Sequence, residues 1–69
     1  MLKETTLVSV IVPVYNMQPY LVECISSILA SDYPAFEVII MDDGSTDHSL
    51  AIARKFEKKD PRVKVFSQN

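Results

Sequence analysis

Runs of apolar residues alternate with helix-length stretches along this chain of 69 residues. The first run, 7–14, is rich in β-branched residues and favours a strand. The stretch 37–41, which contains four consecutive apolar residues from 38 on, and the alternating stretch 63–66 favour two more strands. Between them, apolar positions spaced by three and four predict helices over about 19–31 and 47–58. The pattern therefore predicts the element order β-α-β-α-β.

Strands that alternate with helices of about 10–15 residues are typical of a parallel sheet. The fold class is thus α/β, with one β-α-β-α-β parallel-sheet unit and a single partial domain over residues 1–69. In a sheet of strand order 3-2-1, right-handed crossovers place both helices on the same face. The other face would then be bare, and an apolar face of several hundred Å² is unusual in a soluble monomer. We expect this chain to be the first part of something larger, or to self-associate through that face.

Residues that start helices follow the first two strands. Asn16 can cap the first helix, and Pro19 suits its first turn because the missing N–H is not needed there. Ser45 or Thr46 can cap the second helix, and Asp47 lies near its positive end. Each of these two loops is therefore expected to lead directly from a strand into a helix.

Two adjacent carboxylates, Asp42 and Asp43, follow the second strand together with the only glycine, Gly44. Ligands bind at the carboxyl ends of the strands in open α/β sheets. Carboxylates in that place can accept from the N–H of a base or the hydroxyls of a ribose, or hold a divalent cation. Neighbours in a strand point to opposite sides, so the two should differ in role. We expect Asp43 to contact a ligand, whereas Asp42 either contacts it or supports the loop.

The end of the first strand supplies further candidates beside this carboxylate pair. Pro13 cannot donate to the sheet ladder, so the regular strand should end near it. Tyr15 either stacks on a planar base or closes the edge of the core as a half-buried aromatic. Asn16 either contacts a ligand or caps the helix. The pattern favours a base-sized site, and hence a nucleotide.

Other chemistry-bearing residues favour structural roles. His48 has no second histidine or cysteine at metal-ligand spacing and is interpreted as a solvated residue. Cys24 has no catalytic partner in view and is interpreted as packing. Lys58, Lys59 and Arg62 are interpreted as a solvated helix terminus. A single glycine can build neither GxGxxG nor GxxxxGK[ST], so the usual dinucleotide and P-loop motifs are excluded.

Composition limits the classes of partner and the cellular compartments that we expect for this chain. The net charge of -2, without a basic run, gives no indication of nucleic-acid binding. The longest apolar run, 10–15, is far shorter than the ~20 residues that span a bilayer, and no signal peptide is evident. One cysteine excludes an internal disulfide and fits a reducing compartment. We expect a cytoplasmic chain without a membrane segment, or one associated with a membrane only as part of a larger protein.

Two stretches, 8–16 (VSVIVPVYN) and 40–47 (IMDDGSTD), together closely resemble the start of the family 2 glycosyltransferases. The first helix also matches the usual first helix of that family, so the resemblance extends over 7–69. It implies the Rossmann-like half of a GT-A nucleotide-diphospho-sugar transferase fold. The implied function is binding of a nucleotide-sugar donor, a UDP-sugar or another nucleotide-activated sugar. The donor would be used by an enzyme that transfers a sugar to an acceptor hydroxyl in polysaccharide or glycoconjugate synthesis.

The resemblance also implies roles for individual residues. The positions matching Pro13 and Tyr15 line the nucleobase pocket in that family, and the position matching Asp43 hydrogen-bonds the base. Asn16 and Asp42 are further candidates for nucleotide binding.

The DxD-type motif and the catalytic base of the family do not occur in these 69 residues. Transfer needs a base on the acceptor and a cation on the leaving diphosphate. We therefore expect Mg²⁺ or Mn²⁺ in a complete enzyme, and no catalysis by this chain alone.

Two other classes of function are compatible with the pattern. The first is a non-catalytic fragment or interaction module that self-associates through the bare sheet face. The second is a phosphoacceptor domain of the receiver type, because acidic residues at strand ends also occur there. That class needs a lysine and a second acidic site on later strands, which this chain lacks.

Overall fold

A parallel sheet with two helices makes up residues 6–68, the part of the chain that the computed structural model describes. The elements in chain order are β1 (Val8–Val14), α1 (Gln18–Leu29), β2 (Phe36–Asp43), α2 (Ser49–Lys59) and β3 (Val63–Gln68). The α/β class and the β-α-β-α-β order predicted from the sequence are confirmed.

The strand order in the sheet is β1-β2-β3, and both pairs of neighbours are parallel. β2 is therefore central and contributes to every row of side chains that crosses the sheet. In one such row Val12 pairs with Ile40, which pairs with Val65. The next row, one residue further along each strand, starts at Pro13 and alternates to the other face.

The hydrophobic core lies between the helices and one face of the sheet. The buried apolar residues form one cluster: Val12, Val14, Leu21, Ile25, Phe36, Val38, Ile40, Ala53, Val63 and Val65. The strand members alternate along the chain, and the helix members come from both α1 and α2. Both helices therefore cover the same face, as expected from right-handed crossovers.

The opposite face of the sheet, called the open face below, carries large apolar side chains that no helix among residues 6–68 covers. Ile11 is 56% exposed, Met41 42% and Phe66 52%. The bare face predicted from the sequence is confirmed for these residues. Neither helix in this part of the chain has the length and apolarity that crossing a bilayer requires.

Two local predictions about the loops are wrong. The residue at the N-cap of α1 is Met17 rather than Asn16, and that of α2 is His48 rather than Ser45 or Thr46. The side chain of neither N-cap residue bonds to its own helix. The polar side chains of these loops bond across from one loop to the other instead. The proline at the start of α1 lies in the first turn as predicted.

The second and third strands extend two residues further than the apolar pattern predicts. Asp42 pairs with Ser67, and Asp43 pairs with Gln68. The backbone ladder continues there because it needs no apolar side chain. The two carboxylates therefore belong to a paired strand and not to a free loop, which fixes the directions of their side chains.

Candidate functional site

A cavity of about 250 Å³ opens at the carboxyl ends of the three strands. Its lining residues are Pro13, Met41, Asp42, Asp43, Phe66, Ser67 and Gln68. Pockets for drug-sized ligands have volumes of roughly 300–1,000 Å³, so this cavity is suited to a smaller planar group or to one part of a ligand. The place agrees with the rule that open α/β sheets bind ligands at this edge.

Two rows of side chains on the open face build the cavity. The first row, Pro13–Met41–Phe66, crosses all three strands and is apolar. The second row, one step nearer the strand ends, consists of Asp43 and Gln68. A flat apolar floor beside a polar edge is the arrangement that recognises a planar heterocycle, because the ring can stack while its edge forms hydrogen bonds.

Asp42 points away from this face and into the covered side. It is 2% exposed, and its Oδ2 accepts a hydrogen bond of 3.2 Å from the backbone N–H of Ser45. Its Oδ1 is also buried and has no hydrogen-bond partner within residues 6–68. The carboxylate thus holds the turn that follows β2, as the structural interpretation of this residue expects.

Asp43 points to the open face and is exposed. Its Oδ1 accepts a hydrogen bond of 3.3 Å from Nε2 of Gln68 on the neighbouring strand. Oδ2 of Asp43 keeps its capacity to accept, because this contact engages the other oxygen. Side chains alternate between the two faces along a strand. Asp42 therefore supports a buried turn, whereas Asp43 is an acceptor that lines the cavity.

Residues in left-handed backbone geometry shape both loops at this end of the sheet. Gly44, directly after Asp43, has φ 73°, and Asn16, after β1, has φ 50°. Glycine adopts this region without a steric penalty, and asparagine is the next most tolerant type. Each strand can therefore turn sharply just beyond the cavity.

Asn16 joins the two loops. Its Oδ1 accepts from the backbone N–H of Thr46 at 2.8 Å and from that of Asp47 at 3.3 Å. Its own N–H donates to Oγ of Ser45 at 3.0 Å. The β1–α1 loop thus supplies the acceptor for backbone N–H groups that precede α2. Because the side-chain oxygen of Asn16 is used there, it does not cap α1.

Asp47 and Ser49 continue this connection between the loops. Oδ2 of Asp47 accepts from the N–H of Gln18 at 3.1 Å, and its Oδ1 accepts from that of Ser49 at 2.8 Å. Oγ of the fully buried Ser49 accepts from the N–H of Met17 at 2.8 Å. Hydrogen bonding with Ser49 holds the pKa of Asp47 below its ordinary value of 3.8. The ionised carboxylate is therefore the form that fits this loop junction.

The structure brings three of the five predicted site residues together. Pro13, Asp42 and Asp43 line the cavity, although the side chain of Asp42 points to the covered side. Tyr15, 59% exposed, lies one residue beyond the end of β1 and is outside the lining. Asn16 is also outside it, with its side-chain oxygen occupied by the loop N–H groups.

Sequence reasoning missed Met41, Phe66 and Gln68, which also line the cavity. Their place follows from the register between β2 and β3, where Met41 pairs with Phe66 and Asp43 with Gln68. The strand order expected from the sequence already places β3 beside β2. That order could have indicated that residues of β3 line the cavity. No group of three or more His, Cys, Asp or Glu side chains within residues 6–68 is arranged to hold a metal ion.

Comparison with known proteins gives consistent matches. The family model described as glycosyl transferase family 2 matches residues 9–69. The glycosyltransferase GlyG of Streptococcus pneumoniae serotype 4 is 50% identical over 62 residues, which are 90% of this chain and 21% of that protein. The chondroitin synthase of Escherichia coli is 43% identical over 67 residues, which are 97% of this chain and 10% of that protein. The chain thus spans about a fifth or less of the length of these two relatives.

A solved structure extends the match to the fold. The mannosyltransferase PcManGT from Pyrobaculum calidifontis, in complex with GDP-Man and Mn²⁺, superposes with a TM-score of 0.81 and is 32% identical. The match covers 90% of this chain and 19% of that protein. The expected Rossmann-like half of a GT-A fold is thereby confirmed.

Proposed function

The chain belongs to glycosyl transferase family 2, and we propose that it binds the nucleotide of a nucleotide-sugar donor, specifically a UDP-sugar. The observation that carries the proposal is the cavity at the strand ends, where an apolar row and the Asp43 carboxylate face the same space. The solved mannosyltransferase that this chain resembles holds GDP-Man, which supports a nucleotide sugar as the kind of ligand.

In this proposal the base lies against Pro13, Met41 and Phe66, and Asp43 accepts from its ring N–H. Stacking on an aromatic side chain, here Phe66, contributes about 1–3 kcal/mol per base and tolerates any base. Tyr15, exposed at the end of β1, closes over the base from the loop side. Asp42 and Asn16 act indirectly in this proposal, because they hold the two loops that border the cavity.

We assign the transfer of the sugar to an acceptor hydroxyl, in polysaccharide or glycoconjugate synthesis, to a complete enzyme that contains this chain as its donor-binding part. Mg²⁺ or Mn²⁺ on the diphosphate belongs to the same proposal, and the similar mannosyltransferase carries Mn²⁺ beside its nucleotide sugar. We also propose a cytoplasmic location, which the free thiol of Cys24 fits.

The test is a titration of UDP, with and without Mn²⁺, into the 69-residue chain, followed through backbone amide NMR signals. We expect shifts at Asp43 and Tyr15, and a loss of affinity of at least about tenfold in Asp43→Ala, because the base N–H then has no acceptor. Asp32→Ala is the matched control, since it removes an exposed carboxylate from the α1–β2 loop at the other end of the sheet. Equal affinities in the wild type and Asp43→Ala would count against the proposal.

A second candidate function is favoured by the open face itself. Ile11, Met41 and Phe66, one from each strand, are exposed apolar side chains on that face. In a solution of this chain alone, the polypeptide available to cover that surface is a second copy. This candidate predicts a concentration-dependent dimer in sedimentation velocity, disrupted by Ile11→Lys. A monomer at millimolar concentration would exclude it.

A further inference from the structure

The two edges of the sheet differ in whether their outward backbone groups are already bonded. β3 forms one edge, and alternate residues along it direct their N–H and C=O groups away from β2. The N–H of Val65 donates to Oε2 of Glu57 at 2.9 Å, and its C=O accepts from Nη1 of Arg54 at 3.2 Å. The N–H of Val63 donates to the C=O of Asp60 at 3.0 Å. These bonds from α2 and from the turn after it close the β3 edge to another strand.

The β1 edge is open. The N–H of Val8 donates to the C=O of Ala35, which directs the even-numbered residues of β1 toward β2. The backbone groups of Ser9 and Ile11 therefore point outward, and they have no hydrogen-bond partner within residues 6–68. Both residues are exposed. An exposed strand with free backbone groups is a template for pairing with another strand.

The spacing of these free groups fits a two-fold symmetric pair of β1 strands. When two copies run antiparallel with Val10 opposite Val10, Ser9 of each copy lies opposite Ile11 of the other. Each Ser9–Ile11 pair then exchanges both N–H···O=C bonds, as hydrogen-bonded pairs of an antiparallel ladder do. Further along, the N–H of Leu7 meets the C=O of Pro13. That contact needs no donor from the proline, so Pro13 does not prevent the pairing.

We propose that a second copy of this chain pairs antiparallel with the free edge of β1 and joins the two sheets into one continuous sheet. The same surface is used on both copies, as a closed two-fold interface requires. This edge interface goes beyond nucleotide binding, and it differs from the open-face candidate because backbone groups make it and Met41 and Phe66 stay uncovered. The β3 edge takes no part, since Arg54 and Glu57 occupy it.

The test measures self-association of the 69-residue chain by sedimentation velocity, and backbone amide hydrogen exchange by NMR. Ser9→Pro removes an outward N–H and keeps the bonds between β1 and β2, which the neighbouring residues make. We expect the wild type to dimerise as its concentration rises. Ser9→Pro should weaken the dimer by at least about tenfold, because one bond is lost from each copy. The amides of Ser9 and Ile11 should exchange more slowly in the wild-type dimer than in the monomer.

Ser9→Ala is the matched control, because it loses the side-chain bond to Glu37 but keeps the backbone N–H. Its dimer should match that of the wild type within about threefold. Phe66→Lys separates the two candidate interfaces, since it places a charge on the open face and leaves the β1 edge unchanged. A monomeric wild type would overturn the inference, as would a dimer that Phe66→Lys disrupts and Ser9→Pro retains. Equal exchange of the Ser9 and Ile11 amides in monomer and dimer would also overturn it, and that measurement needs no variant to fold.

Discussion

The two faces of the same sheet are made by alternate residues of the same strands, yet they differ in every property that matters for function. The face under the helices is a closed apolar core that ends in one buried carboxylate, Asp42. The open face carries exposed apolar side chains and ends in the exposed Asp43. Because the strand period is two, a shift of one residue along β2 exchanges a role in stability for the proposed role in binding.

The largest expected effect of this difference is on stability. Ile40→Ala should reduce the free energy of unfolding by about 2–5 kcal/mol, because Ile40 is fully buried and its truncation leaves a cavity. For so short a chain, that loss approaches the whole stability of the fold. Met41→Ala, one residue on and on the open face, should cost under about 1 kcal/mol. Urea denaturation followed by circular dichroism measures both.

A large loss of stability in Met41→Ala would contradict the difference between the two faces. It would mean that the open face is covered in solution, and the cost should then depend on protein concentration. Repeating the denaturation at two concentrations tenfold apart distinguishes a covered face from a local packing effect within the monomer.

The hydrogen bonds that join the two loops should have the next largest effect on stability. Asn16→Ala should cost about 1–3 kcal/mol, because the N–H groups of Thr46 and Asp47 lose their acceptor and alanine is strained at φ 50°. Asn16→Gly removes the same bonds but relieves the backbone, so it should be the milder change. The same urea series measures both variants. Equal losses would show that the backbone geometry contributes nothing.

The two adjacent carboxylates allow the most direct test. Asp42→Ala should cost about 1–2 kcal/mol, since the N–H of Ser45 loses its partner in a partly buried turn. Asp43→Ala should change stability by no more than about 0.5 kcal/mol, because Asp43 is exposed. Thermal unfolding of the two variants beside the wild type gives the answer. A reversed order would contradict the assignment of the faces.

Much of the fold could be predicted from local pattern alone. The β-branched run of β1 and the helical spacing of α1 depend on residues near one another in the sequence, and those elements form where expected. The opposite directions of Asp42 and Asp43 also follow from the period of a strand. For these features the sequence contains the physical cause within a few residues.

The parts that could not be predicted depend on distant partners. The sequence favours a helix cap or a ligand contact for Asn16, but its role as an acceptor depends on N–H groups 30 and 31 residues away. Phe66 and Gln68 line the cavity only because β3 pairs with β2 in one particular register. A pattern within a segment does not contain that register, so the polar edge of the cavity was only half predicted.

Acidification gives the smallest expected effect, and Asp47 at the junction of the two loops contributes to it. The pKa of Asp47 is lowered by hydrogen bonding with Ser49, so its ionised form stabilises the fold at pH above its ordinary value of 3.8. That contribution is lost as the pH falls from about this value through the lower pKa of the folded state. The pKa values of Glu57 and Asp60 are lowered as well, by bonds from Val65 and Arg62.

Asp47→Asn measures how much the loop junction contributes to this loss of stability at low pH, because the substitution keeps the shape of the side chain and removes its charge. At pH 6 the variant should unfold at a lower urea concentration than the wild type, since the N–H groups of Gln18 and Ser49 lose an ionised acceptor. At pH 3 the difference should shrink, because the wild-type carboxyl is then largely protonated in the unfolded state and increasingly so in the folded state. Glu57 and Asp60 keep their own acid dependence in both proteins. A difference that stays constant between the two pH values would show that Asp47 acts through its shape and not its charge.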